Sequence, residues 1–252
     1  MPLVRLSERI SYLPHVEELD RPVLALVRGD RLALAVDAGY SPRHVVDLFL
    51  SQLRQEGLAA PDYVVLTHWH WDHSFGMSVV AGLTVARKET NEHLLEARGI
   101  LLDPDDPRRA DIRSAQGFAE EFPPGEDPVV VTADLEFEGE LTIDLGGVTA
   151  RLIATDAPHT NDSTLVYVPE ERTLFVGDCF CEDYDSGDDP SVYHLDPARL
   201  RALLATIEGL DPAPETFVIG HCPPEGPEEF VGYLRELLQA SPGEGGAYAS
   251  AS

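Results

Sequence analysis

The sequence predicts an α/β fold in which two mixed β-sheets lie between outer layers of helices. In the first half, short apolar runs that end in turns alternate with helical patterns. In the second half, several strand-like runs follow one another, and two helical patterns close the chain. With 252 residues, 43% of them hydrophobic, the chain can bury a full core. We therefore expect one domain over residues 1–240, followed by a disordered tail at 241–252.

The elements of the first half can be placed in order. A helical pattern between two strand signals has Ser41 as N-cap, Pro42 at its first position and Gly57 as its stop. Apolar runs bounded by turn residues predict the strands, and an amphipathic pattern predicts a second helix. These elements are a strand at 31–39, a helix at 41–57, strands at 62–68 and 83–87, and a helix from about 90 to 98.

The second half begins with a polar, proline-rich segment at 101–128, which predicts a surface excursion or a lid that contains one short helix. A Gly-Gly pair inside the next run predicts a β-hairpin. Asp196 is expected to cap the first of two terminal helices. The remaining elements are the hairpin at 140–155, strands at 163–169, 173–178 and 216–221, and helices at 196–210 and 227–240.

The composition limits the classes of partner. The formal net charge is -27, and Lys88 is the sole lysine. Such a field repels phosphate backbones and anionic membrane surfaces, so we expect a small-molecule substrate and neither nucleic acid nor membrane as partner. No apolar run reaches about 18 residues and the N-terminus lacks a secretory pattern, which predicts a cytoplasmic protein. The three cysteines, an odd number, are expected to be reduced thiols.

The stretch "VVLTHWHWDHSFGM" places three histidines and an aspartate within six positions. If the backbone leaves the preceding strand extended, His68 and His70 project to the same side and share one metal ion. Asp72 and His73 follow the turn and point to a neighbouring position, where they hold a second ion. The tryptophans between these residues are interpreted as core or pocket-wall packing.

Three further residues stand where a strand gives way to a loop, namely His159, Asp178 and His221. Side chains from distant segments converge at such an edge, so these three are candidates to complete the metal site. The other histidines are interpreted as surface or helix positions, although His194 follows the acidic loop after Asp178. They are His15, His44, His93 and His194.

With these residues assembled, the chain resembles the metallo-β-lactamase superfamily from about Val23 to His221. The resemblance implies a four-layer αββα sandwich. It also implies that Asp178 bridges two ions and that Asp37 hydrogen-bonds metal ligands rather than binding metal itself. The implied first site is His68, His70 and His159, and the implied second site is Asp72, His73 and His221.

Differences between this chain and the residue patterns of known branches of the superfamily reduce the number of branches that it resembles. Flavodiiron proteins have an acidic residue where this chain has His70, and one subclass of zinc β-lactamases has cysteine at the place of Asp178. Glyoxalase II has a C-terminal helical domain with basic side chains, and RNase Z expects a basic surface, neither of which fits this chain. Acyl-homoserine lactonases share the full ligand set but carry a tyrosine soon after the bridging aspartate, where Cys181 and Tyr184 stand nearby. Lactonase chemistry stays open.

The residue types suit Zn²⁺ and also Fe or Mn, because a mixed nitrogen and oxygen site does not select one metal by itself. Two Zn²⁺ ions are the expected cofactor. We therefore expect a dinuclear metallohydrolase in which a metal-bridging hydroxide attacks a small ester, lactone or thioester. Asp72 is expected to orient the attacking water, and Tyr184 and His194 are the candidate proton donors. Two alternatives stand beside this prediction. One is a mononuclear iron oxygenase of the persulfide dioxygenase type, and the other is a non-catalytic metal-binding protein of the same fold.

Overall fold

The structure is a computed structural model that describes residues 1–181, 183 and 195–240. The predicted tail at 241–252 lies outside the described residues. Two mixed β-sheets pack face to face, and helices cover the outer face of each sheet. The α/β sandwich expected from the sequence is therefore confirmed. Within the described ranges, no helix combines the length and apolar character needed to cross a bilayer.

The first sheet has seven strands that follow one another in chain order. The first four strands pair antiparallel and the last four pair parallel, so the fourth belongs to both patterns. The strands are β1 (Val4–Arg5), β2 (Ile10–Leu13), β3 (Leu24–Arg28), β4 (Ala33–Val36), β5 (Tyr63–Val65), β6 (Leu83–Arg87) and β7 (Leu135–Phe137).

The second sheet has five strands, and strands that are consecutive in sequence are also neighbours in the sheet. Its last two strands pair parallel, and its other neighbouring strands pair antiparallel. Its first two strands form the predicted hairpin, in which Gly146 and Gly147 have φ of 88° and 75°. Two consecutive residues with positive φ are what a tight hairpin turn of this type needs, and glycine adopts them without strain. The strands are β8 (Glu140–Asp144), β9 (Thr149–Ala154), β10 (Thr164–Val168), β11 (Thr173–Gly177) and β12 (Thr216–Ile219).

Helices connect and cover the sheets. The first begins as a π-helical segment at Arg43–Leu50 and continues as α1 (Ser51–Gln55). The others are α2 (Trp71–Ser74), α3 (Lys88–Leu102), α4 (Arg108–Ser114), α5 (Phe118–Glu121), α6 (Pro197–Glu208) and α7 (Pro227–Ala240), and short 3₁₀ turns lie at Glu17–Leu19, Phe75–Val79 and Pro169–Glu171.

The sandwich follows from the alternation of side chains along its strands. In β3, Ala25 and Val27 belong to the core between the two sheets, whereas Leu24 and Leu26 belong to the core beneath the helices. Successive residues of a strand point to opposite faces, so a strand covered on both sides is apolar throughout. A third core lies between the second sheet and the helices α6 and α7.

Several local predictions are confirmed. The Ser41 hydroxyl accepts the backbone N–H of His44 at 3.2 Å, and Gly57 ends that helical stretch with φ of 69°. Asp196 accepts the backbone N–H groups of Ala198 and Arg199 at the start of α6. The strands β1, β2, β3 and β7 were not expected. The first two are short and β7 is a partly polar edge strand, so these three show no clear alternating pattern. The strand β3 is a five-residue run that is apolar except for Arg28, and it was missed although its composition suits a buried strand.

The polar excursion packs against the body through a buried ion pair. Arg21 and Glu121 lie 2.5 Å apart, with 6% and 0% of their side chains exposed. The second carboxylate oxygen of Glu121 accepts a hydrogen bond from the Ser41 hydroxyl. The Tyr40 hydroxyl donates to the carbonyl oxygen of Gln116 at 2.7 Å. The segment thus contains two short helices rather than one, and buried polar contacts hold it in place.

His44 lies in the helical segment Arg43–Leu50, one of the two placements expected for it, but its side chain is buried. It is 1% exposed, and its Nδ1 accepts the backbone N–H of Tyr40 at 3.3 Å. Burial first, and then the charge of Arg21, lower the pKa of His44 to about 3. The imidazole is therefore neutral in the folded protein at every pH above that value.

Replacing His44 with asparagine is expected to reduce the loss of stability in mild acid. The unfolded chain protonates His44 below about pH 6.5 while the folded protein does not, so this residue makes the free energy of unfolding fall as pH drops through 6.5. Between pH 6.5 and 5 the difference amounts to about 2 kcal/mol. Urea unfolding of both proteins at several pH values measures it, and parallel pH profiles would contradict the prediction.

Candidate metal centre

The first candidate ligands follow the end of β5. His70 has extended backbone angles (φ -49°, ψ 147°) and immediately precedes α2. The side chains of His68 and His70 therefore meet, as the i, i+2 spacing predicts, and His68 Nε2 lies 3.0 Å from His70 Nδ1. The turn into α2 then directs Asp72 and His73 to a neighbouring position.

Three histidines form the first group of ligand atoms. His159, in the loop between β9 and β10, places its Nε2 3.0 Å from His70 Nδ1. All three side chains are buried. Burial, followed by the neighbouring His73, lowers the pKa of His68 well below its ordinary value, so its imidazole is neutral and able to bind a cation. This group combines the residues predicted for the first metal site.

Two carboxylates and two histidines form the second group. His73 Nε2 lies 3.1 Å from an oxygen of Asp72 and 3.3 Å from an oxygen of Asp178. His221 Nε2 lies 3.0 Å and 3.2 Å from the same two oxygens. Asp178 comes directly after β11 and His221 shortly after β12, and these two strands are parallel. Their ends therefore deliver both ligands to one edge of the sheet.

The two groups are adjacent, because the ring centroids of His68 and His73 lie 4.2 Å apart. Two ligand atoms that each lie ~2.0–2.1 Å from a tetrahedral ion are ~3.3 Å apart. The observed separations of 3.0 to 3.3 Å match that value in both groups. The donor set, nitrogen with carboxylate oxygen, suits Zn²⁺, Fe or Mn. The residues present therefore fit a bound metal.

Asp37 orients His73 for this role. Its carboxylate accepts a hydrogen bond from His73 Nδ1 at 2.9 Å and from the backbone N–H of Thr67 at 2.7 Å. With the proton on Nδ1, the lone pair of Nε2 points into the second group, where His221 Nε2 lies 3.3 Å away. Two facing imidazole nitrogens repel each other unless a proton or a cation lies between them.

The electrostatics of the second group differ from those of the first. Burial alone would lower the pKa of His73, but the charges of Asp72 and Asp178 outweigh it and hold that pKa well above its ordinary value. Burial would also lower the pKa of His221, but Asp72 and Asp178 outweigh it and raise that pKa to about 11. Without a metal ion, protons on these imidazoles balance the buried carboxylates. The carboxylates of the second group thus stabilise a positive charge placed between them.

Three residues near the centre were not predicted from the sequence. The Thr67 hydroxyl lies 3.0 Å from each Asp37 oxygen, and its place directly before His68 is the only signal for it. Asp20, with φ of 53°, lies 3.6 Å from His221 Nδ1, and burial together with Asp72 raises its pKa to about 6. A Cβ on Gly220 would lie 2.0 Å from an oxygen of Asp178, so glycine is required there.

The structure does not test the two candidate proton donors. Tyr184 and His194 lie outside the described residues. Cys179 is buried, burial raises its pKa well above the ordinary value, and all three cysteines are free thiols. Trp69 and Trp71 are partly buried and pack against the core beneath the helices.

The protein-family comparison agrees with this architecture. Two mixed sheets between helices, with a His/Asp cluster at the strand ends, define the metallo-β-lactamase fold. The model of the metallo-beta-lactamase superfamily matches residues 23–221. The chain therefore belongs to the metallo-beta-lactamase superfamily, which confirms the resemblance read from the motif. A beta-lactamase-like protein 2 homolog of Caenorhabditis elegans is 29% identical over 118 residues, which cover 47% of this chain and 30% of that relative.

Solved structures share the fold. A metallo-beta-lactamase from Pontibacter korlensis superimposes with a TM-score of 0.67 at 17% identity, covering 95% of this chain and 99% of that one. An archaeal metallo-beta-lactamase superfamily protein from Sulfolobus tokodaii gives a TM-score of 0.61 at 21% identity, covering 95% and 92%. At these identities the likeness concerns the fold alone.

Changing Asp37 to asparagine is expected to weaken metal binding in the second group by about 10- to 100-fold. Asparagine tolerates the positive φ of 65° at this position and has the same shape. Its amide, however, donates to His73 Nδ1 and so moves the imidazole proton to Nε2, which then has no lone pair for a cation. Titration against a competing chelator measures the affinity of each group.

Asp62 to asparagine is the matched control, because the Asp62 carboxylate also accepts a backbone N–H, that of Ala33, away from the centre. Unchanged affinity in the Asp37 variant, with the control also unchanged, would show that Asp37 does not set the imidazole proton.

Proposed function

We propose that this protein is a metal-dependent hydrolase that holds two ions and cleaves a small ester, lactone or thioester. The observation that carries the proposal is the second group of ligand atoms, with its carboxylates Asp72 and Asp178, directly beside the three-histidine group. A single-ion centre would need only one of these groups. Family membership supports the same class of reaction without naming the substrate.

In this proposal, His68, His70 and His159 hold one ion, and Asp72, His73, Asp178 and His221 hold the other. When bound, such ions supply a water activated as a nucleophile at neutral pH and a Lewis acid for the substrate carbonyl. The chain contributes the placement of the ligands and a water-poor environment, since Asp72 is 5% exposed and Asp178 8% exposed. A fixed, buried arrangement strengthens electrostatic interactions at the reacting atoms.

Asp72 has a further proposed role. Its carboxylate lies within 3.1 Å of both His73 Nε2 and His221 Nε2. Burial alone would raise the pKa of Asp72, but these two imidazoles outweigh it and hold that pKa well below its usual range. An ionised carboxylate in this position can accept a hydrogen bond from the attacking water and so orient it, which is the role predicted from the sequence.

The charge of the chain restricts the substrate. Asp20, Asp72 and Asp178 place three carboxylates in or beside the centre, and the whole chain carries -27 formal charges. A highly anionic substrate would meet repulsion both on approach and at the site. We therefore favour a neutral or weakly charged carbonyl compound as the substrate, such as a lactone or a simple ester, over a phosphodiester.

Metal quantification of the purified protein, combined with assays on ester, lactone, thioester and phosphodiester panels, tests the proposal. Two ions per chain and turnover of a carbonyl substrate are the expected result. One iron per chain, together with oxygen uptake in the presence of glutathione persulfide, would contradict the proposal and show that the protein is an oxygenase. Inactivity of fully metallated protein across all panels would favour a non-catalytic metal-binding protein.

Changing His70 to alanine is expected to remove metal-dependent turnover, with a loss of at least about 100-fold, because the imidazole lies 3.0 Å from both other histidines of its group. The metal content should fall by one ion per chain. The Asp62 to asparagine variant, with its altered carboxylate remote from the centre, serves as the control. Full activity of the His70 variant would remove this residue from the metal site.

A further inference from the structure

A cavity of about 330 Å³ lies away from the metal centre. Its walls combine two arginines, one serine, one glutamate and two leucines, which are Leu3, Arg5, Ser11, Arg28, Glu56 and Leu58. This volume is at the lower end of the range of small-molecule sites. The cavity is therefore large enough for a compact metabolite.

Strand register explains why its polar side chains meet. Arg5 of β1 pairs directly with Ser11 of β2. Ser11 in turn pairs with Leu26 of β3, and Arg28 stands two residues beyond Leu26. Directly paired residues, and residues two apart on one strand, share a face of the sheet. Arg5, Ser11 and Arg28 thus lie on the same face, which is the face covered by the helices.

The cavity and the metal centre are at opposite ends of the first sheet. Arg28 ends β3, and β3 runs antiparallel to β4, which is parallel to β5. The end of β3 is therefore next to the start of β5, whereas His68 follows the end of β5. A ligand in the cavity would not touch the metal ligands.

Two of the residues that line the cavity carry a polar side-chain group without a partner in the described part of the chain. Arg28 Nε is buried and makes no hydrogen bond, although the same guanidinium donates to the carbonyl oxygen of Glu8. Ser11 is only 7% exposed, and its hydroxyl makes no hydrogen bond to another described residue. A buried guanidinium N–H without an acceptor is costly, so Arg28 gains energy if its guanidinium turns toward an acceptor bound in the cavity.

The charge of this wall contrasts with the rest of the chain. Two arginines and a single carboxylate residue, Glu56, line the cavity, in a protein whose formal net charge is -27. Neither Arg5 nor Arg28 forms an ion pair with a described residue. Most other arginines whose contacts are described are paired with a carboxylate, as Arg9, Arg31 and Arg172 are. A guanidinium pair of this kind suits an oxyanion, which accepts from two donors at once.

We propose that this cavity binds the oxyanion group, phosphate or carboxylate, of a small metabolite at a site distinct from the metal centre. Arg28 and Arg5 contact the oxyanion, and the Ser11 hydroxyl donates a third hydrogen bond. Glu56 accepts a hydrogen bond from a hydroxyl or amine elsewhere on the metabolite. The leucines Leu3 and Leu58 cover its apolar part.

Inorganic phosphate and acetate are the probes, each titrated against sodium chloride at equal ionic strength. Because the chain is strongly anionic, any salt stabilises it by screening, and only a saturable shift beyond that of chloride counts as binding. Binding is measured by the melting temperature and by calorimetry. A response to phosphate alone identifies a phosphorylated ligand, and a response to acetate alone identifies a carboxylate.

Changing Arg28 to glutamine is expected to weaken this binding about tenfold or more. Arg98 to glutamine is the matched control, since it removes the same charge from an exposed position on α3. Any anion binding at the metal centre persists in both variants. Only the binding that disappears in the Arg28 variant and remains in the Arg98 variant is therefore assigned to the cavity. Should the Arg28 variant fail to fold, Ser11 to alanine and Arg5 to glutamine replace it.

No saturable binding of either probe, or equal binding in the cavity variants and the control, would overturn the proposal. These outcomes are independent of hydrolase activity, because none of the altered residues belongs to the metal centre.

Discussion

The carboxylate of Asp37 is the interaction on which the metal centre depends. It stands just after β4 with φ of 65°, a conformation that costs a residue other than glycine about 1–2 kcal/mol. This backbone places its oxygens between the end of β5 and α2, where they accept hydrogen bonds from Thr67 and His73. One side chain therefore determines both where the ligand-bearing segment leaves the sheet and which nitrogen of His73 is available.

The two sheets divide the ligands between them. The first sheet leads into four of them at the end of β5, and the second contributes the other three from loops that follow three separate strands. Neither sheet alone supplies a complete group of candidate ligands. The face-to-face packing of the sheets, through the apolar core that contains Val65, Val166 and Phe175, is thus also the condition for a complete centre. Damage to that core would loosen the centre without changing a ligand.

The sequence is sufficient to predict the class of fold and to bring forward the seven candidate ligands, because both have local signals. His68, His70, Asp72 and His73 occur within six residues, and the others stand at strand ends. It is not sufficient for features that depend on distant partners. Arg21 meets Glu121 across 100 residues of chain, and nothing near either residue indicates this contact. For the same reason, His44 reads as an ordinary helix residue although it is buried.

The buried pair of Arg21 and Glu121 has a consequence for the way the chain unfolds. Separating the segment 101–128 from the body would leave Arg21 without a partner in a water-poor site, at a cost of about 3–5 kcal/mol. Small openings of the excursion are therefore suppressed until water can reach both charges. The excursion and the region around Arg21 should unfold as one cooperative unit, exchanging their amide hydrogens together rather than in sequence.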